Sequence, residues 1–252
     1  MKPNKFGCEL EFIVNDKEDS LVIEKLNSLY KSNFLVDLKN SNIPSDPKQT
    51  KVHYKFESSL ESNFGRELTS PICSFEELKE YISTFALIIN RYGKTNSLTG
   101  LHIHMSSSDE SGTELDLCKY ALLADEKKLL NNWGSRNNYC LNLIDIMDYL
   151  DFEDVIFFKE NKGRVWNLLK RDSHHVEIRT FGGEAYQNKV PQVIAEIELY
   201  IEIFHHSTNE NFASLEYLNK LEQHAEKLDK MSQETIENYL MAFPEIDSFL
   251  IL

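Results

Sequence analysis

The side chains best suited to holding cations or gripping phosphate fall on a few short alternating stretches. Residues 98–105 read LTGLHIHM. Strand side chains alternate, so His102 and His104 share one face, and Leu101, Ile103 and Met105 share the other. Residues 6–14, FGCELEFIV, put Glu9 and Glu11 together against Cys8, Leu10 and Phe12. Residues 175–181, HVEIRTF, do the same with Glu177 and Arg179 against Val176 and Ile178. Residues 52–57 (VHYKFE) and 66–70 read as a strand pair joined through ESSLESNFG, with Glu57 and Glu67 at its ends and Pro71 ending the second strand. Residues 163–169, GRVWNLL, carry Arg164 on a strand that leads through KRDSHH into the Glu177 stretch. Arg136 lies in the turn-like GSRNNYC.

Carboxylates on apolar strands are costly unless paired or metal-bound. Glu9, Glu11, Glu57, Glu67 and Glu177, gathered with His102, would form an oxygen-rich set with one imidazole. Crowded carboxylates cannot all stay ionised without cations. Such a donor set favours Mg²⁺ or Mn²⁺ over structural zinc, which prefers thiolate and histidine. Mg²⁺ completes its shell with water and substrate phosphates, and Arg164 and Arg179 offer the planar forks that hold phosphate oxygens. Arg136 is a further candidate nucleotide contact. The combination points to phosphoryl transfer from a nucleotide, where positioning and charge neutralisation are the protein's main contributions. No GxxxxGK[ST] loop is present, which excludes a P-loop enzyme.

The chain has 252 residues, 41% hydrophobic and 27% charged, the composition of an ordinary soluble globular protein. No apolar run approaches membrane-spanning length and the N-terminus lacks a signal-peptide apolar core, so no membrane association and a cytoplasmic location are expected. The four cysteines are scattered and read as reduced thiols. A net charge of −14 repels phosphate backbones and argues against general nucleic-acid binding. Helical periodicity predicts helices over residues 20–31, 75–92, 115–133, 142–158, 190–206, 214–229 and 233–243, with a polar loop at 40–49. The helix over 75–92 has Ser74 and Glu77 as a capping box and Gly93 as a C′ stop, and should cover the apolar side of the sheet. His174 and His175 read as a solvent-facing pair at a hairpin end.

GLHIHMS resembles the GxHxHxS segment of glutamine synthetases, FGCELEF their paired-glutamate first strand, and VEIRTF their late Glu-x-Arg strand. The full order FGCELEF, FESSLESNFGRELTSP, TGLHIHM, RVWNLL, HHVEIRTFGG is most similar to the amidoligase family, small carboxylate–amine ligases related to glutamine synthetase and glutamate–cysteine ligase. The resemblance spans about residues 5–190. It implies an α+β fold, a curved antiparallel β-sheet forming a funnel like the glutamine synthetase catalytic domain, with helices packed on the outer face. Residues 1–210 would be the catalytic domain and 211–252 a C-terminal helical extension packed on it. It implies ATP and Mg²⁺ (or Mn²⁺) as cofactors, and ATP-dependent amide formation: a carboxylate is phosphorylated to an acyl phosphate, then an amine attacks, releasing ADP and phosphate.

By the same resemblance Glu9, Glu11, Glu67, His102 and Glu177 match metal-ligand positions. Arg179 matches the arginine that steadies the transferring phosphate, and His104 a position near the nucleotide. Arg164 becomes a second phosphate contact, and Glu57 stands where related sequences often have aspartate. The partners would be a carboxylate and an amine substrate, whether amino acid, peptide or metabolite. Which acid and which amine is open, and so is a homo-oligomer. Two other readings compete: a metal-dependent hydrolase using the His102/His104 pair and the carboxylates, and a non-catalytic binding protein that keeps the fold.

Overall fold

Strand alternation makes residues 5–14 the spine of the protein: Cys8, Leu10, Phe12 and Val14 are all at most 2% exposed. The computed structural model describes residues 2–15, 18–38, 48–60, 62–107, 115, 119–120, 123–124, 129, 132–133, 166–167, 175–209, 214–215 and 217–219. Its elements in chain order are β1 (Lys5–Val14), α1 (Asp19–Tyr30), β2 (Phe34–Asp37), β3 (Val52–Phe56), β4 (Gly65–Thr69), α2 (Phe75–Tyr92), β5 (Gly93–Lys94), β6 (Leu101–Ser106), β7 (Trp166–Asn167), β8 (His175–Ile178) and α3 (Val190–Ser207), with 3-10 turns at Ser58–Leu60 and Tyr186–Asn188. The fold is α+β: an eight-stranded sheet in the order β2-β3-β4-β1-β6-β8-β7, with β5 beside β1.

The expected all-antiparallel sheet is corrected at one edge, where β2 runs parallel to β3. The segment FLVD has no fully buried residue, so it carries no alternation for a sequence reading to detect. Parallel neighbours need a long connection, and residues 38–51 lie between the two strands in the sequence.

The helices cover the apolar face. On α2, Leu78, Ile82, Phe85, Ala86, Ile88 and Ile89 are buried against the β1 side of the core. Its start is fixed by reciprocal capping: the Glu77 N–H donates to Ser74 Oγ, and the Ser74 N–H donates to Glu77 Oε2 at 2.8 Å. Its end departs from expectation. Gly93 is extended (φ −152°, ψ −170°) rather than left-handed, and the chain passes directly into β5. Glycine is needed for closeness instead: a Cβ there would lie 2.6 Å from the Phe12 ring and 2.8 Å from the Ile13 carbonyl oxygen. On α3, Val193, Ile197, Tyr200, Ile203 and Phe204 are buried, and the Tyr200 hydroxyl donates to the Ala124 carbonyl at 3.1 Å. Within the predicted helix over 115–133, the described residues 119–120, 123, 129 and 132–133 are helical. The predicted helices over 142–158 and 233–243, most of 214–229, and nearly all of the proposed extension 211–252 lie outside the described residues. No helix among the described residues is long and apolar enough to cross a membrane.

The face that α1 buries is set by an ion pair. Helical spacing in the sequence puts Leu21, Ile23, Leu26, Leu29 and Tyr30 near one side, yet Leu21 and Leu29 are both 43% exposed, while Val22 joins Leu26 as fully buried. Asp19 explains the rotation. Its carboxylate accepts from Arg66 Nε at 2.8 Å, from Arg66 Nη2 at 2.6 Å and from the Tyr54 hydroxyl. Positions i, i+3 and i+7 share a helix face, so anchoring Asp19 turns Val22 and Leu26 inward. Arg66 itself is only 5% exposed on the helix side of β4, where an unpaired guanidinium would be costly.

Burial pushes the Asp19 carboxyl up, but its bonds to Arg66 and Tyr54 outweigh that and hold it below the ordinary 3.8. A depressed carboxyl stabilises the fold above its unfolded pKa, and that stability is lost as pH falls through the folded value. Asp19→Asn is therefore expected to cost about 1–3 kcal/mol in urea denaturation at neutral pH. The gap to the unsubstituted protein should close below about pH 4; a gap independent of pH would contradict this role for the pair.

Candidate functional site

Sheet register lines up the chemistry on the face opposite the helices. In one row Lys55 stands across from Glu67, and Glu67 across from Glu11. In the next, His53 faces Thr69, Thr69 faces Glu9, and Glu9 faces His102. In the third, Gly7 faces His104, His104 faces Glu177, and Glu177 faces Asn167. Cross-strand neighbours are close enough for their side chains to interact, so three rows of pairs make one continuous polar patch.

Two ion-sized groups result. Ligand atoms of Glu9, His104 and Glu177 lie within 4.8 Å of one another, and so do those of Glu11, Glu57 and Glu67. His102, 3% exposed, sits between them: its Nδ1 is 3.4 Å from Glu9 and 3.7 Å from Glu177, and its Nε2 is 3.9 Å from Glu11. The carboxylates and His102 expected as metal ligands thus occupy one neighbourhood. His104, expected near the nucleotide, stands with Glu9 and Glu177 in the first group. Arg179 forms an ion pair with Glu177 Oε1. Arg164 and Arg136 lie outside the described residues.

Local structure holds each group. Glu11 Oε2 accepts from the Gly100 N–H at 2.7 Å, and the Glu11 N–H donates to the Gly100 carbonyl at 2.8 Å. Tyr186 donates its hydroxyl to the Glu11 carbonyl at 2.8 Å, tying the segment before α3 to β1. Glu57 Oε1 accepts from the Ser59 N–H at 2.9 Å. Gly65 lets the Glu57 backbone approach: a Cβ there would meet the Glu57 carbonyl oxygen at 2.4 Å.

Two members of the patch escaped the sequence reading. Sequence alternation puts Lys55 on the face shared by His53 and Glu57 but suggests no role for it; its Nζ lies 2.8 Å from Glu67 Oε1. His175 was read as solvent-facing, but its Nε2 is 3.1 Å from His104 Nδ1, and the two rings lie 5.2 Å apart. The signal for both was parity: Lys55 is two residues from Glu57, and His175 two from Glu177.

The electrostatics follow from crowding. Burial works to raise Glu9, but hydrogen bonds from His102 and His104 outweigh it and hold the carboxyl well below the usual range. Burial likewise opposes ionisation of Glu177, and the Arg179 guanidinium more than offsets it. Glu57 is lowered despite burial, chiefly by the Ser59 N–H. Glu67 goes the other way: burial and the nearby Glu9 carboxylate push it up to about 8, with Lys55 and Thr69 offsetting only part. Burial works against the Lys55 charge, but Glu67 holds its pKa above the ordinary 10.5.

The first group suits a hard divalent ion. Two carboxylates and an imidazole are a Mg²⁺ or Mn²⁺ donor set. The buried His104 Nε2 faces Glu9 Oε1 at 3.4 Å. In the tautomer that donates the Nδ1 proton to His175, 3.1 Å away, Nε2 would present its lone pair to an ion. A neighbouring group that fixes the ring tautomer is the usual companion of a ligating histidine.

No family model matches the chain. A mitochondrial pentatricopeptide repeat-containing protein of Arabidopsis thaliana is 26% identical over 118 residues, covering 41% of this chain and 19% of that protein. The chain therefore spans less than a fifth of that relative's length. Among solved structures, Plasmodium falciparum glutamine synthetase overlays with a TM-score of 0.41 at 14% identity, covering 99% of this chain and 73% of that one. The ligase PafA in complex with the prokaryotic ubiquitin-like protein Pup overlays with a TM-score of 0.33 at 10% identity, covering 98% and 64%.

Millimolar Mg²⁺ or Mn²⁺ is expected to raise the melting temperature, since an ion present at a hundred times its Kd stabilises by about 2.7 kcal/mol. Glu9→Gln should remove most of that rise while leaving the ion-free protein folded, as read by thermal denaturation with and without the ion.

Proposed function

We propose that this chain is an ATP-dependent carboxylate–amine ligase, forming an amide through an acyl phosphate and releasing ADP and phosphate. One observation carries the reading. Glu9, Glu11, Glu67, His102, Glu177 and Arg179, the residues matching amidoligase positions, come from distant parts of the chain and meet on one sheet face.

Glu9, Glu177 and His104, with His102 beside them, would hold Mg²⁺ or Mn²⁺, and the ion would neutralise the nucleotide phosphates. Arg179, kept in place by Glu177, would present its guanidinium to the phosphoryl group in transfer. The acid substrate's carboxylate oxygen attacks the γ-phosphorus of ATP and the bond to ADP breaks. The amine nitrogen then attacks the acyl carbon, loses a proton, and displaces phosphate. Arg164 and Arg136 are proposed as further nucleotide contacts. The same reading makes a metabolic small molecule or a peptide side chain equally acceptable as acid or amine.

A metal-dependent hydrolase is the second reading. The contact between His104 and His175 favours it, because a second imidazole beside the first ion-sized group suits zinc.

A screen of acid and amine pairs with ATP and Mg²⁺, read by ADP release, separates the two. Ligation predicts ADP release that requires both substrates; zinc-dependent cleavage without nucleotide would establish the hydrolase instead. No nucleotide-induced rise in melting temperature would favour a non-catalytic protein. Once a substrate pair is found, Glu177→Gln and Arg179→Ala should each lower turnover by about 10²–10³-fold. Near-normal turnover in either variant would remove that residue from the mechanism.

A further inference from the structure

The two ion-sized groups differ in what already occupies their ligand atoms. In the Glu11, Glu57 and Glu67 group each carboxylate has a donor in place. Gly100 N–H bonds Glu11 Oε2, Ser59 N–H bonds Glu57 Oε1, and Glu67 Oε1 takes both the Thr69 hydroxyl at 2.6 Å and Lys55 Nζ at 2.8 Å. In the other group Arg179 pairs with Glu177 Oε1, but Glu9 meets only the imidazoles of His102 and His104, each at 3.4 Å.

We infer that the Lys55 ammonium is the resident cation of the Glu11, Glu57 and Glu67 group, so that the face takes one divalent ion, between Glu9, His104 and Glu177. The inference rests on the ion-binding reading of this face. Lys55 is not a passing surface contact: β3 and β4 set it directly opposite Glu67. Its side chain is two-thirds covered, and the Glu67 side chain it meets is 4% exposed. A lysine stem can lie along the sheet from the rim while its charged head reaches inward. An ammonium in contact with a nearly buried carboxylate repels a dication from the same oxygens, and low local polarity makes that repulsion strong.

The consequence is functional. A tethered ammonium carries one charge where a second ion carries two, and it does not dissociate. It also offers up to three donors, so an anionic substrate group can share it with Glu67. The half of the face nearest β3 would then carry a fixed charge, independent of the free Mg²⁺ concentration, and only the Glu9 half would respond to added metal.

The test is Mn²⁺ titration of the full chain without nucleotide, with free Mn²⁺ followed by electron paramagnetic resonance. The expected result is one tight ion in the unsubstituted protein. In Lys55→Met a second ion should bind at least tenfold more tightly than any second ion in the unsubstituted chain, and Lys55→Arg should stay at one. Lys55→Gln serves if the Met variant does not fold. Two tight ions in the unsubstituted chain would overturn the role of Lys55 while leaving the ion-binding reading intact, and so would a folded Lys55→Met or Lys55→Gln that stays at one. No tight ion in any of these proteins would overturn the ion-binding reading itself, and this inference with it.

Discussion

Burying Cys8, Leu10, Phe12 and Val14 beneath the helices leaves Glu9 and Glu11 only the opposite face of β1. That constraint propagates through the pairing. A strand that slips by one residue sends every side chain to the other face. The register of β6 on β1 therefore fixes His102 and His104 beside Glu9, and the register of β8 on β6 fixes Glu177 beside His104. Apolar burial on one side of the sheet thus places the chemistry on the other. Glu57 and Arg179 follow directly on β3 and β8, and the other site residues sit on the strands themselves, a rigid support of the kind an ion site would require.

The two faces settle their charges differently. On the helix side, Arg66 is enclosed and fully matched: Asp19 takes its fork, and the backbone carbonyls of Gly65 and Asn63 accept from Nη1 at 2.7 and 3.1 Å. On the polar side Glu9, Glu11, Glu57, Glu67 and Glu177 share a small area with His102, His104, His175, Arg179 and Lys55. Carboxylates are in excess there, which is why Glu67 is pushed up while Glu9 and Glu177 depend on imidazole and guanidinium neighbours. A folded chain tolerates such an imbalance when function requires it.

Much of this arrangement was legible in the sequence because it is local. Alternation located β1, β3, β6 and β8 and assigned their faces, β4 reads as the partner of β3, and the 3.6-residue period with its capping box located α2 to the residue. What escaped was set by contacts between distant segments. The edge strand β2 has no periodic signature. Gly93 is required by the Phe12 ring, eighty-one positions earlier in the numbering. The buried face of α1 is chosen by Arg66, on another element. Within the site, the residue types and faces were readable, but the division into two ion-sized groups was not. Nor were the engagement of Lys55 by Glu67 and of His104 by His175, because each depends on which strands become neighbours.

The most direct measurement of the central claim is anomalous diffraction at the manganese edge, from crystals grown with Mn²⁺ and a non-hydrolysable ATP analogue. A manganese peak bonded to Glu9, Glu177 and His104 or His102, with phosphate oxygens in its shell and Arg179 against them, is the predicted result. An ion and nucleotide bound elsewhere, with the Glu9 and Glu177 carboxylates touching neither, would contradict it.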